Sequence, residues 1–491
     1  MVHAEGLRWG LLVGISLVAV GGPAFGQPQP KNAKPQAAAA KTIPSGAPHT
    51  LAQALSTVYM NYPALQAERA KLRATDENVP QALAGWKPTV VVAGSAGYGN
   101  GLTRQYLASA GQWEKLQTDR DIATAQATVT QPLYNGGKTR ASVNQATDQV
   151  MAERANLLAS EESSFASAVN AYVGVIEARQ LLQLNQNNQQ VLQEQLRATN
   201  DQYQVGEVTR TDVAQAEASL ASAVASVATA QGNLETATGT FVQIIGYTPP
   251  EDLVPPQPLA LPIRNERDAA TMASANNPAV IAARFNDAAA KNAVEVAFAA
   301  LLPQVSLQAQ IFQSNNSGAR SDDVNGYQAL VNLSVPLYQG GQEYAAVRQA
   351  RQTEQQQAQL VGDAQRTAVQ NAVNAWETLT AARAAAQSTQ TAIRANQIAL
   401  VGVEREHLVG TRTTLDVLNA QQTLLQSQVT LVQNLANLVT ASYGVASAIG
   451  RLTARDLNLP VPLYDATAYY DKVKNKWVGI GVPPPDAFFG H

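Results

Sequence analysis

The chain of 491 residues contains no cysteine. That absence excludes disulfides, thiolate metal sites and a lipid-modified N-terminal cysteine. Histidine is nearly as scarce: His3, His49, His407 and His491 are all there is, and only His407 falls inside a patterned segment. A histidine–carboxylate metal cluster or a Ser-His-Asp triad needs a richer inventory, so no enzymatic chemistry, metal or cofactor is expected. Charge is sparse, with 14% charged residues and a formal net charge of −3. Nothing in that balance points to nucleic acid. Long apolar runs are missing as well. The one candidate, Trp9 to Val20, is shorter than the roughly 20 residues that span a bilayer. It follows Arg8 and precedes Gly21-Gly22-Pro23 and then Ala24-Phe25-Gly26, whose small residues suit cleavage before Gln27. Residues 1–26 therefore read as an export signal; its removal takes away Arg8 and Glu5 and leaves the charge balance unchanged.

Proline is absent where it would matter most. Of 24 prolines, none lies between Pro132 and Pro249 or between Pro336 and Pro460. Both windows are rich in Ala, Gln, Leu and Glu, which favour helix. A helix from Lys138 to Gln204 would hold about 67 residues and run roughly 100 Å, and one from Gln342 to Leu408 would match it. Helices of that length must pack side by side as coiled coils. Each ends at a glycine, Gly206 or Gly410, able to terminate a helix in the left-handed conformation. Thr211-Asp212 and Leu415-Asp416 then open a second helix, with the acid favourable near an N-terminus. Two long helical hairpins result, closing at about Gly246 and Gly450. A shorter helical segment precedes each, from Leu51 to Leu83 and from Asp268 to Ala300.

What the chain has instead of variety is repetition. VTQPLYNGGKTRASVNQA from Val129 returns as LSVPLYQGGQEYAAVRQA from Leu333. Pro132, Gly136 and Gly137 thereby pair with Pro336, Gly340 and Gly341, 204 residues on (132 to 336). VGEVTRTDV at Val205 returns as VGTRTTLDV at Val409. Upstream, Asn61-Tyr62-Pro63 matches Asn276-Asn277-Pro278 at an offset of 215 (61 to 276). An insertion of about 11 residues between Pro88 and Pro132 reconciles the offsets. The period is too long for a solenoid unit and marks a fold-sized half duplicated in tandem. The first repeat spans 50–246 and the second 266–459.

Between the short and the long helices the period changes from 3.6 to 2. Val305, Leu307, Ala309 and Ile311 alternate with Gln304, Ser306, Gln308 and Gln310. Tyr327, Ala329, Val331, Leu333 and Val335 then alternate with Gln328, Asn332 and Ser334, Leu330 being an exception. Strands are expected at about 303–313 and 326–335, and, more weakly patterned, at about 89–99 and 121–131. Segments of roughly ten alternating residues suit a transmembrane barrel. Four strands cannot close one, and an open edge cannot face lipid. The chain must oligomerise. Three copies would supply 12 strands, and strand arithmetic leaves two or four open. Residues 27–49 form a Pro/Ala/Lys-rich leader expected to lack order. A proline-rich linker (247–265) joins the halves. A tail (460–491) either packs on the helices or dangles.

Duplication, four alternating strands and two long hairpins resemble the outer-membrane efflux protein family, whose namesake is TolC, over roughly Thr50 to Pro460. The most specific pieces are the P-L-Y-x-G-G junctions at Pro132 and Pro336 and the paired tips YQVGEVTRTDV and HLVGTRTTLDVLNAQQTL. The second tip looks like the branch serving type I secretion and multidrug export. The missing cysteine departs from the lipid-anchored branch. The resemblance implies a mainly α fold with a small transmembrane β part: tandem helical hairpins form an α-barrel in the periplasm, and four strands per chain complete a 12-stranded barrel in a homotrimer. It implies a channel in outer-membrane lipid, an exit duct served by a periplasmic adaptor and an inner-membrane ABC or proton-driven pump. It also implies a periplasmic gate. Asp212 and Arg412 would form a closing polar pair, His407 stands where such members place a tyrosine, and Asp416 matches one position of an acidic selectivity ring. Asn419 falls where a second acid can stand. Each has a plainer reading: Asp212 and Asp416 as helix caps, Arg412 as a turn residue, His407 as packing, Gly206 and Gly410 as tip turns.

A hydrophilic, uncharged lining of Gln, Asn, Ser and Thr lets varied solutes pass without trapping them. The competing reading is a structural coiled-coil or adhesin protein anchored by a small barrel, for which no segment is long enough to be a passenger.

Overall fold

The computed structural model describes residues 46–317 and 322–489. The export signal and most of the leader lie outside the described residues. The leader's last residues are tied down, against expectation: the His49 carbonyl accepts from Val254 N–H at 3.0 Å, and its ring pairs with Asp252 at 2.7 Å.

Each half opens on helices that a proline divides. α1 (Leu51–Asn61) gives way to α2 (Pro63–Asp76), and α3 (Asn78–Leu83) follows. In the second half α6 (Glu266–Asn276) gives way to α7 (Pro278–Phe298). The segments expected as single helices are broken because Pro63 and Pro278 take the first helical position, where the missing N–H costs nothing. Between the two sets run strands β1 (Thr89–Leu107) and β2 (Gln112–Asn135) and helices α4 (Lys138–Gln204) and α5 (Arg210–Ile245). After α7 come β3 (Gln304–Asn315), β4 (Asp323–Ser334), α8 (Gln342–Leu408) and α9 (Thr414–Ala448), and a short α10 (Ala468–Val473) lies in the tail. Both long helices hold 67 residues, as the proline-free windows require.

The strands form one antiparallel sheet in the order β1-β2-β3-β4, so β1 and β4 are both open edges. β1 and β2 run past the expected 99 and start before the expected 121: they pair from Thr89↔Thr130 out to Leu107↔Gln112. The inserted residues thus lengthen the ladder rather than the loop. They read weakly in the sequence because charged and apolar residues share one face there, Arg104 and Lys115 standing beside Leu102, Tyr106 and Trp113.

α5 returns along α4 and α9 along α8, with α7 between α4 and α8. The buried seam of α5 is Ala216, Ala223 and Ala230, and that of α8 continues through Ala372, Leu379 and Ala386. Both step by seven, the coiled-coil repeat, and the small side chains let the backbones approach closely. Larger core residues gather where the short helices meet the long ones: Leu55, Leu65, Leu72, Phe165, Tyr172 and Phe241 in one cluster, Val280, Val445 and Ile449 in another.

The linker is a fitted strap. Arg179 donates to the carbonyls of Pro249, Pro250 and Glu251, and Leu259 N–H donates to Ser442 Oγ. The tail also packs. Tyr464 pairs with Phe489 across a β-bridge, and Tyr59, Tyr464 and Phe489 surround the buried Arg69 guanidinium at 4.5–5.0 Å. Between α10 and Phe488 the tail is exposed again.

Candidate functional site

The sheet separates two chemistries by register. Val90↔Val129, Val92↔Ala127, Ala127↔Ile311 and Ile311↔Tyr327 share one face with Leu307, Val331 and Leu333. Val92 is 79% exposed and Tyr327 89%. Such a surface is stable only against something apolar. The opposite face carries hydrogen-bonded polar side chains: Gln310 links Gln126 (3.1 Å) to Gln328 (3.2 Å), Asn332 donates to Gln308 (3.1 Å), and Ser95 meets Thr124 (2.6 Å). Val91, Phe312, Val324 and Leu330 interrupt it. Where strands meet helices, Trp86, Tyr134, Phe298 and Tyr338 all stand exposed at the same end of the sheet, as aromatic residues do at a membrane–water boundary.

The junctions turn this sheet into helices. Pro132 sits at a register shift in β2, because it has no N–H for the ladder; Pro336 lies just past β4. Gly137 and Gly341 cap α4 and α8 in the left-handed conformation, each after a second positive-φ glycine, Gly136 or Gly340. At Gly136 space is short as well: a Cβ would lie 2.7 Å from the Ala299 carbonyl oxygen.

The helix tips are built alike. Gly206 N–H donates to Tyr203 O and Glu207 N–H to Gln202 O; Gly410 and Thr411 repeat this on His407 and Glu406. Thr209 and Thr413 are the N-caps of α5 and α9, and each closes a reciprocal capping box with the acid three residues on. Asp212 Oδ2 accepts from Thr209 N–H (2.8 Å) and Oγ1–H (2.6 Å), and Asp416 Oδ2 from Thr413 N–H (2.9 Å) and Oγ1–H (2.8 Å). These bonds to the Thr209 side chain and backbone hold the Asp212 carboxyl below its ordinary range, and the Thr413 bonds do the same for Asp416. The capping roles of Asp212 and Asp416 are therefore real. The signal was in the sequence as T-x-x-D, twice, and identifies Thr209 and Thr413 directly. Replacing Thr413 by alanine should open the tip of α9, with roughly fivefold faster amide exchange over its first turn; exchange unchanged there would mean the cap is redundant.

Arg412 and Asp212 do not pair within one protomer. Arg412 Nε donates instead to Glu406 Oε2 at 2.8 Å, a partner that sequence reasoning missed. His407 Nδ1 lies 3.0 Å from the Arg412 carbonyl, and its charge adds to the lowering of both Asp212 and Asp416. His407, Arg412 and Asp416 are thus together on one tip, with Asp212 within electrostatic reach on the other, and Asn419 is exposed one turn beyond. Among the described residues no cluster of His, Asp and Glu suits a metal, and no helix is long and apolar enough to cross a membrane.

The family model described as "Outer membrane efflux protein" matches residues 54–247 and 269–451. The chain is 36% identical over 436 residues to the outer membrane efflux protein BepC of Brucella suis, covering 88% of this chain and 92% of that one. It is 25% identical to the outer membrane protein TolC of Escherichia coli over 73% of this chain and 75% of the other. In fold it is similar to the outer membrane protein VceC of Vibrio cholerae, with a TM-score of 0.69, 22% identity, and coverage of 82% of this chain and 96% of that one.

Proposed function

This chain belongs to the outer membrane efflux protein family, and from that premise we propose that it is the exit duct of a tripartite efflux or type I secretion machine. It resides in the outer membrane with its helical tunnel in the periplasm. The observation that carries the reading is the sheet: one apolar exposed face, one hydrogen-bonded polar face, and two open edges. Three copies supply 12 strands, enough to close a barrel whose apolar face meets lipid and whose glutamine face lines water. Each copy adds two long hairpins to a tunnel below. An inner-membrane ABC or proton-driven pump and a periplasmic adaptor deliver the cargo to the tips.

At those tips the gate has a specific form. Glu406 holds Arg412 within a protomer, and closure exchanges that partner for Asp212 of an adjacent hairpin. Threefold repetition of Asp416 around the narrow mouth favours cations, because a low-dielectric wall strengthens their common field.

Cross-linking in mild detergent should stop at three protomers, and the purified oligomer should conduct in planar bilayers with cation preference. Asp416→Asn should shift the reversal potential in a salt gradient towards zero. A monodisperse monomer that keeps its strands would sink the duct, whereas an unchanged reversal potential would leave Asp416 as a cap alone.

A further inference from the structure

We propose that residues Trp477–Val482 are an anchor that lies in the inner, periplasmic-facing leaflet of the outer membrane, with phospholipid as its partner. The inference rests on the outer-membrane reading of the sheet. This part of the tail carries Trp477, Val478, Ile480 and Val482, all exposed, with Ile480 wholly so and Val478 at 86%. Four large apolar side chains within six residues stand mostly exposed among the described residues, although the tail on either side is packed: Val473 and Phe488 are buried.

Position decides what covers them. Lys87 donates to the Lys476 carbonyl at 3.0 Å, and its ammonium lies 5.0 Å from the centre of the Trp477 ring. Lys87 is two residues before β1 begins at Thr89, next to Trp86 of the aromatic boundary. The segment is therefore pinned at the level where the lipid-facing surface of the sheet ends, and it continues that surface sideways. Its chemistry suits that depth. A tryptophan beside lysines is a membrane-interface pairing, with the ring among the headgroups and the cations at phosphates. Lys87 and Lys476 donate only to backbone carbonyls, Lys476 to Gly481 at 2.9 Å, and neither forms an ion pair among the described residues. Their charge is left for anionic headgroups. A short loop held in place needs no length to span: Gly479, at φ +107°, turns the chain, and the flanking Val478 and Ile480 both stand exposed.

The chain's lack of cysteine makes the test clean. Single cysteines at Ile480 and, separately, at Val92 on the lipid-facing face take a nitroxide label, and the protein is reconstituted in vesicles of phosphatidylethanolamine and phosphatidylglycerol. Collision with oxygen against collision with a water-soluble nickel chelate reads depth. The label at 480 should favour oxygen several-fold more than the free nitroxide reagent does in buffer, at a shallower depth than the label at 92. If 92 reads lipid while 480 reads water, the anchor is wrong and the barrel stands. If 480 is shielded from both colliders, it packs against protein and the proposal falls. If 92 itself reads water, the outer-membrane placement fails, and the anchor with it.

Discussion

Gly450→Ala should abolish assembly of the proposed trimer, while the same change at its repeat counterpart, Gly246→Ala, should leave it intact. Both glycines end a long helix with positive φ, +74° and +87°. For a left-handed alanine the strain is about 1–2 kcal/mol at either site. The surroundings differ. A Cβ on Gly450 would lie 2.5 Å from the Asn276 carbonyl oxygen and 2.9 Å from its carbon, whereas nothing stands within 4 Å of one on Gly246. The obstructing atoms are backbone at the α6–α7 joint, where Asn277 also donates to the Ala448 carbonyl. They cannot yield without parting α9 from that joint and disturbing the core around Val445 and Ile449. Unboiled gels of outer-membrane fractions would decide it. Equal oligomer from both variants would show that the joint is pliable.

A second large effect is expected from Glu162→Gln, and it depends on pH. Glu162 is buried in α4 with Oε1 unpartnered. Burial pushes its carboxyl up to about 8, partly offset by the Leu452 N–H and reinforced by Glu161 and Asp456. The folded protein therefore keeps a proton that the unfolded chain, with a carboxyl near about 4.3, gives up. Stability contributed by this group is whole below about pH 4, declines as the pH rises towards 8, and stays lost above it. Asp76, buried and raised to about 7, acts in the same direction. At about 1.4 kcal/mol per pH unit, and allowing for relaxation around the charge, the amide should gain on the order of 2–3 kcal/mol per protomer at pH 9. It should gain little at pH 5. Thermal dissociation midpoints at the two pH values measure this. Parallel wild-type and variant profiles would mean water reaches the carboxylate.

The parts of the fold legible in the sequence are those where one physical demand acts along the chain. A 67-residue helix needs every N–H, so it appears as a gap in proline. β3 and β4 sit between lipid and water, so apolar and polar residues alternate. Beyond the bilayer that demand ends, and the outer half of the β1–β2 ladder, with Tyr106 against Trp113, loses its pattern. The strap and tail were opaque for a different reason. Their order comes from Arg179, from Tyr172, whose hydroxyl lies 2.7 Å from the His49 carbonyl and 2.9 Å from that of Val254, and from Arg69, all far away in the sequence. At the tips, Asp212 and Asp416 and their capping partners Thr209 and Thr413 are legible, but the partner of Arg412 is not. Glu406 reaches Arg412 only because the glycine turn folds the chain back on itself, a geometry without a sequence period.

The two unpaired edges of the sheet impose an order of events on the making of this protein. A lone chain leaving the inner membrane carries two rows of unsatisfied N–H and C=O groups beside an uncovered apolar face. It cannot enter hydrocarbon in that state, since each such group would cost several kcal/mol there. Nor can it linger in water, where open edges invite promiscuous pairing. For the trimeric barrel proposed above, ring closure and membrane entry are therefore expected to be one event, whose rate should climb steeply with the supply of fresh chains. Overproduction should then divide the chains between completed pores and aggregates, with little stable intermediate between them.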